Sequence, residues 1–295
     1  MTPRGPAEWA ASAREAAAVP LEVLVPTRNR PAELATALGG LAAQDADFGV
    51  VVSDQSDGAP GWSHPAAEAM VRVLRAQGRP VRCYRHLPLQ GLAEHRQFLL
   101  ESSSADRVLF LDDDVWLAPA AVTTLVAALD ALGCGFVGMA VQGLSYLGDR
   151  RPDEVGDFSV WERGVEPERM DRIAPGFGRW RLHNAANLAH VAERLRREGR
   201  LAPGEWLPYR VAWVGGCVLY RRGALQECGG FGFWRELPPG HAGEDVVAQW
   251  RVMERFGGAG IVPSHAVHLE SPTTVTDRSV EASEALSDSG LQAGP

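Results

Sequence analysis

Short β-rich runs alternate with amphipathic stretches through the first half of the chain, and that alternation leaves few folds open. Leu21-Glu-Val-Leu-Val25 reads as a strand ended by Pro26. Pro31 then opens a helix where its missing N–H costs nothing, and Leu34, Leu38 and Leu41 follow at helical spacing. Val50–Val52 reads as the second strand and Pro65–Ala76 as the second helix. Val81–Tyr84 and Leu92–Glu101 repeat the pair, as do Val108–Leu111 and Pro119–Leu132. Apolar strands joined by helices imply a mainly parallel sheet covered on both faces, a Rossmann-like α/β fold in a single domain. Ligands of such sheets sit at the carboxyl ends of the strands, so chemistry is sought just after each one.

Beyond Gly143 the pattern dissolves. Residues 143–205 are rich in Arg, Gly and Trp, with one clear helix at Asn187–Arg197. Strand signals return at Tyr209–Val214 and Cys217–Tyr220. A last helix is expected over Glu244–Phe256, with Val246, Trp250, Met253 and Phe256 on one face. Residues 1–19 are Ala-rich and read as a flexible arm; residues 272–295, poor in apolar side chains, read as a disordered tail.

The 295 residues, 45% hydrophobic and 22% charged, suffice for a well-packed core. A net charge of −8 argues against a nucleic-acid partner, which needs a basic face. All 29 basic residues are Arg, and with abundant Ala, Gly and Pro this points to a GC-rich, bacterial coding genome. Cys83, Cys134, Cys217 and Cys228 lie far apart without CxxC spacing, as in a reduced, cytoplasmic protein. No basic segment leads into an apolar one at the N-terminus, so no signal peptide is expected. The nearly uncharged stretch from Val115 is broken by Pro119 and Asp130, which excludes a span of about 20 apolar residues.

The residues after the strands carry the chemistry. Asp112, Asp113 and Asp114 follow the fourth strand, and side-chain alternation would turn Asp112 and Asp114 to one side and Asp113 to the other. Adjacent carboxylates repel unless a cation sits among them, and Mg²⁺ or Mn²⁺ takes one or two carboxylates plus phosphate oxygens and water. A solvated acidic loop is the plainer reading. Asp54, in Ser-Asp-Gln-Ser-Asp57-Gly, ends the second strand, where a carboxylate can accept from a base or ribose hydroxyl or simply make a turn. Glu244 and Asp245 open the last helix, where its dipole favours ionised acids and one could act as a general base. Thr27, Arg28 and Arg30 follow the first strand, and Gly91 precedes the helix carrying Arg96, which could reach a diphosphate. His268 could complete a metal shell, although a lone histidine is more often structural. Trp161, Trp180, Trp206, Trp213 and Trp234 suit either a sugar-stacking platform or the core.

In order, Leu-Val-Pro-Thr-Arg-Asn-Arg at 24–30, the Asp54 turn, Gly-Leu-Ala-Glu-His-Arg at 91–96 and Leu-Asp-Asp-Asp at 111–114 resemble the family 2 glycosyltransferases with the GT-A fold. So do Val-Gly-Gly-Cys-Val-Leu-Tyr-Arg-Arg at 214–222, Gly-Gly-Phe at 229–231, Gly-Glu-Asp at 243–245 and His268. The resemblance spans residues 20–270. It implies a transferase that moves a sugar from a nucleoside diphosphate sugar, its donor, to an acceptor hydroxyl with Mn²⁺ or Mg²⁺ as cofactor and inversion at the anomeric carbon. Residues 20–142 would bind the donor, and 143–271 the acceptor, with Arg179, Arg181, His183 and Asn184 as acceptor contacts. By position, Asp54 would bind the nucleoside, Asp112 and Asp114 the metal and diphosphate, and His268 the metal. Asp245 would be the catalytic base with Glu244 beside it. Thr27, Arg28, Arg30, Gly91, Arg96 and Asp113 join the donor site, and Gly215 and Gly216 would let backbone approach the donor. Gln55 replaces the second acid common in the Asp54 turn, and His95 and Gln97 flank Arg96 atypically. The lack of a QxxRW motif and of a transmembrane span argues against a processive synthase. A sugar nucleotidyltransferase would need a Gly-rich, Lys-containing loop after the first strand; a non-catalytic nucleotide-sugar-binding protein stays open. Sugar, base, acceptor and oligomeric state are not set by the sequence.

Overall fold

Every residue of Leu21–Thr27 is buried, with Leu21, Val23 and Val25 in one apolar cluster and Leu24 in another. A strand dry on both faces demands helices on both, and the computed structural model, which describes residues 5–11 and 19–290, supplies them. The chain runs α1 (Pro6–Ala11), β1 (Leu21–Thr27), α2 (Pro31–Ala42), β2 (Gly49–Asp54), α3 (Pro65–Ala76), β3 (Val81–Arg85), α4 (Leu92–Glu101), β4 (Arg107–Leu111) and β5 (Val115–Leu117). It continues through α5 (Ala121–Leu132), β6 (Phe136–Gly138), β7 (Gln142–Gly143), α6 (Asn187–Arg197), β8 (Leu207–Tyr209), β9 (Cys217–Arg221) and α7 (Arg222–Glu227). α8 (Glu244–Phe256), β10 (Gly258–Val262), β11 (Ala266–His268) and α9 (Ala282–Gly290) complete it.

The main sheet has eight strands in the order β3-β2-β1-β4-β9-β6-β10-β8. β3, β2, β1 and β4 are parallel, β9 runs antiparallel between β4 and β6, and β8 is antiparallel to β10. A small sheet, β5-β11-β7, sits beside it and carries His268 against Val115. Helices α2, α3 and α5 cover one face with Leu34, Leu38, Val71, Leu74 and Leu125; α4, α6 and α8 cover the other with Leu99, Leu195 and Val252. Full burial of each such side chain contributes about 1.5–3 kcal/mol. This is the mainly parallel, helix-flanked α/β sheet that the sequence implies.

Several expectations shift. The helix expected from Pro119 starts at Ala121, after Ala120 turns left-handed at φ 67°. The strand expected over Tyr209–Val214 keeps only Tyr209, in β8. α8 buries Val247, Ala248, Val252 and Met253, a stripe rotated from the one expected. The disordered tail expected from residue 272 differs most. Within the described residues this segment ends in α9, whose Ala282 is fully buried and whose Ala285 and Leu286 pack on the core. Few apolar residues suffice when helical spacing puts them on one side. The flexible arm expected for residues 1–19 falls largely outside the described residues, as does the tail beyond 290.

Candidate active site

The carboxyl ends of β1, β2 and β4 meet the N-termini of α4 and α8 around an open cleft of about 740 Å³, the size of a small-molecule site. β4 stops at Leu111, and the Val115 N–H donates to the Asp112 carbonyl (3.2 Å), so the three acids lie in a turn rather than a strand. Strand alternation therefore does not set which of the three acids face the same way. Asp113 and Asp114 share the Arg30 guanidinium at 3.1 and 2.7 Å, while Asp112 accepts from Arg96 at 2.9 Å. Asp113 also accepts from the Thr27 hydroxyl at 2.7 Å, so this acid fastens the β1 and β4 ends together. Burial pushes its carboxyl up to about 7, against the Thr27 and Arg30 contacts. For Asp114 burial acts the same way, but His268 and Arg30 outweigh it and hold the carboxyl below its usual value.

Arg96 lies at the centre. Its Nε donates to Glu244 (2.8 Å) and its Nη2 to Asp112, joining α4, α8 and the acidic turn. Burial works against the charge, but Asp112 and Glu244 outweigh it and raise the guanidinium pKa. The sequence reading gave Arg96 to a diphosphate; the folded chain gives it to two carboxylates. Asp245, next to Glu244 on the cleft wall, is half-buried, and burial followed by the Glu244 charge pushes its carboxyl up to about 7. That corrects the expectation that the helix terminus keeps this acid readily ionised: desolvation and a like charge outweigh the dipole.

Other expected residues take supporting positions. Asp54 is fully buried, and its carboxylate accepts from Ser56 N (2.6 Å) and Gly61 N (2.7 Å), which shapes the loop after β2. It does not line the cleft; Gln55 does, with its amide nitrogen unpartnered. Arg28 lines the cleft but pairs with Asp57 at 3.1 Å. Gly91 has φ +103°, and a Cβ there would sit 2.5 Å from His241, so its role is close packing. Gly215 and Gly216 are absent from the wall of this cleft; Gly216, at φ +77°, turns the chain so that its carbonyl accepts from Asp112 N. Trp213 lines the cleft, whereas Trp161, Trp180, Trp206 and Trp234 pack in or against the core. Arg179 pairs with Glu168, His183 with Tyr209 and Asn184 with Glu154, and none of these, nor Arg181, lines the cleft.

Sequence reasoning missed two contributors. His241 accepts from Ala93 N–H at the start of α4 (3.1 Å) and pairs with the Pro238 carbonyl (2.6 Å), locking the loop before α8 onto α4. Residues 271–281, read as tail from 272 onward, form a strap along the cleft, pinned by Arg30 to the Pro272 carbonyl and by a bridge between Ala242 and Glu281. No motif marks either one.

Oxygen donors for a divalent ion would have to come from the acidic turn. Asp112 Oδ2 and Asp114 Oδ1 lack a hydrogen-bond donor among the described residues, and Mg²⁺ or Mn²⁺ needs only one or two carboxylates when phosphate and water complete the shell. His268 does not fit as oriented. Its Nδ1 accepts from Glu270 N (3.0 Å), so the neutral ring carries its proton on Nε2, which points at Asp114 (3.4 Å). Among the described residues no three His, Cys, Asp or Glu groups are arranged as a ready-made metal cluster.

The sequence pattern of glycosyl transferase family 2 matches residues 22–229, more than half of the chain. The chain belongs to this family. No curated protein matches it. Among solved structures, S. aureus TarS 1-349 matches with a TM-score of 0.53 and 16% identity, over 85% of this chain and 60% of that one. The same TarS segment in complex with UDP-GlcNAc gives 0.53 and 15%, over 87% and 60%. The mannosyltransferase PcManGT from Pyrobaculum calidifontis, in complex with GDP-Man and Mn²⁺, gives 0.49 and 15%, over 92% and 64%. This family 2 chain thus spans about three fifths of the TarS segment, and the TarS likeness speaks to the fold, GT-A. The family match covers β1 to α7 and ends before the strap, His241 and Asp245. Among the described residues no helix is long and apolar enough to cross a membrane.

Proposed function

We propose that this family 2 chain transfers a sugar from a nucleoside diphosphate sugar to an acceptor hydroxyl, with inversion and with Mn²⁺ or Mg²⁺. The observation that carries this reading is Asp245: a carboxylate on the cleft wall, raised toward neutrality, beside the Glu244–Arg96–Asp112 chain. A base whose pKa lies near working pH is well matched to take a proton as a bond forms. In the proposed step the acceptor oxygen attacks the anomeric carbon and the bond to the diphosphate oxygen breaks. The acceptor proton passes to Asp245, and the diphosphate leaves with the bonding electrons. Arg96 holds Asp112 and Glu244 in place, and Trp213 offers an apolar face to the sugar. Asp112 and Asp114 would hold the metal, which when bound neutralises charge on the diphosphate. Thr27, Arg28, Gln55 and Gly91 lie on the donor side of the cleft, toward β2.

The test is a panel of nucleoside diphosphate sugars with Mn²⁺, scored for hydrolysis and for transfer to candidate acceptors. Asp245→Asn should bind the preferred donor like the parent while turnover falls about 10²–10⁴-fold. Unchanged turnover removes Asp245 as the base. Binding with no turnover of any donor in the parent protein favours a binding module instead.

A further inference from the structure

Each arginine of the cleft wall but one faces a carboxylate. Arg28 meets Asp57, Arg30 meets Asp113 and Asp114, and Arg96 meets Asp112 and Glu244. Arg278, on the strap, is the exception among the described residues: its guanidinium contacts the Thr273 hydroxyl at 3.3 Å and no acid. The acids nearest in sequence are occupied. Asp277 accepts from the backbone N–H and hydroxyl of Ser279 (3.0 and 2.6 Å), and Glu281 faces Arg172 at 3.6 Å.

This matters because the wall is acidic. Asp112, Asp114, Glu244 and Asp245 all look into the cleft that, on the reading above, receives a dianionic diphosphate. Arg30 and Arg96 cannot offset that repulsion, since their charge is already matched by carboxylates held at 2.7–2.9 Å. A guanidinium without an acid partner retains its full attraction for phosphate, and its planar fork suits two oxygens at once. We propose that Arg278 grips the diphosphate of the donor from the strap, an assignment that rests on the donor reading and lies outside the stretch matched by the family. The strap's anchors, Arg30 on Pro272 and Ala242 on Glu281, bracket Arg278 and hold it along the cleft. Donor capture would then couple the C-terminal segment to the sheet.

The test is isothermal titration of UDP, GDP and dTDP, with Mn²⁺ present, into the full-length protein and into Arg278→Ala, Arg278→Gln and Arg278→Lys. Affinity for the diphosphate bound best should fall about 10- to 100-fold in the Ala and Gln variants, the range for a lost charge-assisted pair. Lys should restore part of it, because the charge returns without the fork. Parent-like binding by all the variants overturns the role of Arg278 and leaves the donor reading standing. Equal loss in all of them, Lys included, overturns it in favour of a structural role for the strap. A parent protein that binds none of the three diphosphates overturns the donor reading and this inference together.

Discussion

Arg96 sets the arrangement of the acids at the scale of single residues. It is almost fully buried, and the two carboxylates it separates would otherwise repel across the cleft floor. Arg96→Met removes the cation and leaves Glu244, itself 3% exposed, as an unpaired buried charge. Breaking such a pair from one side costs about 3–5 kcal/mol, so denaturant unfolding should show a loss of that order. Adding Glu244→Gln removes the orphaned charge, and the double variant should recover much of the stability. Strictly additive losses would mean that Arg96 and Glu244 do not act as a pair. Asp113 belongs to the same scale: its contacts with Thr27 and Arg30 explain why three consecutive acids survive in one turn.

Among the elements, the strap and α9 are where the folded chain adds most to the sequence. The strands and helices through α4 are legible because continuous apolar runs and Pro-opened helices leave no competing period, and Pro65–Ala76 and Leu92–Glu101 match residue for residue. The Asp112–Asp114 turn and Asp245 were legible as residues of the cleft wall for a related reason: the first follows a strand and the second opens a helix. Their partners were not, because Arg30 and His268 reach Asp114 from opposite ends of the chain. Residues 271–281 were illegible because the strap carries no periodic apolar stripe and is positioned by hydrogen bonds and by the few buried side chains of α9. Ala282→Asp tests that docking. A carboxylate placed among Ala282's apolar neighbours costs about 1–3 kcal/mol or more, and undocking α9 is the cheapest relief. Hydrogen exchange should then rise across residues 271–286 while the sheet stays protected. Protection unchanged there would show that α9 does not hold the strap.

The whole molecule carries titrating groups of opposite sign. His95 is 2% exposed, and burial, followed by the charges of His86 and Arg96, lowers its imidazole to about 3. A histidine depressed in the folded state stabilises above its unfolded pKa, and that stability is lost as pH falls from about 6.5 toward 3. Asp113 and Asp245, raised to about 7, act the other way: they favour folding below their unfolded pKa and lose that contribution as pH climbs through 7. The parent's stability is a sum of opposed slopes, so a difference measurement isolates one. The stability gap between the parent and His95→Gln should change by about 2 kcal/mol between pH 6.5 and pH 5, to the parent's disadvantage in acid. A gap that stays constant would show that His95 takes up its proton without resisting. The paired arginines have a consequence at this scale too. With Arg30 and Arg96 paired to Asp112, Asp113, Asp114 and Glu244, a lone cation arriving at the cleft floor must share those four carboxylates with guanidinium groups. A cation already joined to a sugar nucleotide brings phosphate oxygens as part of its shell and needs fewer carboxylate oxygens from that floor, so the two should be received as one guest.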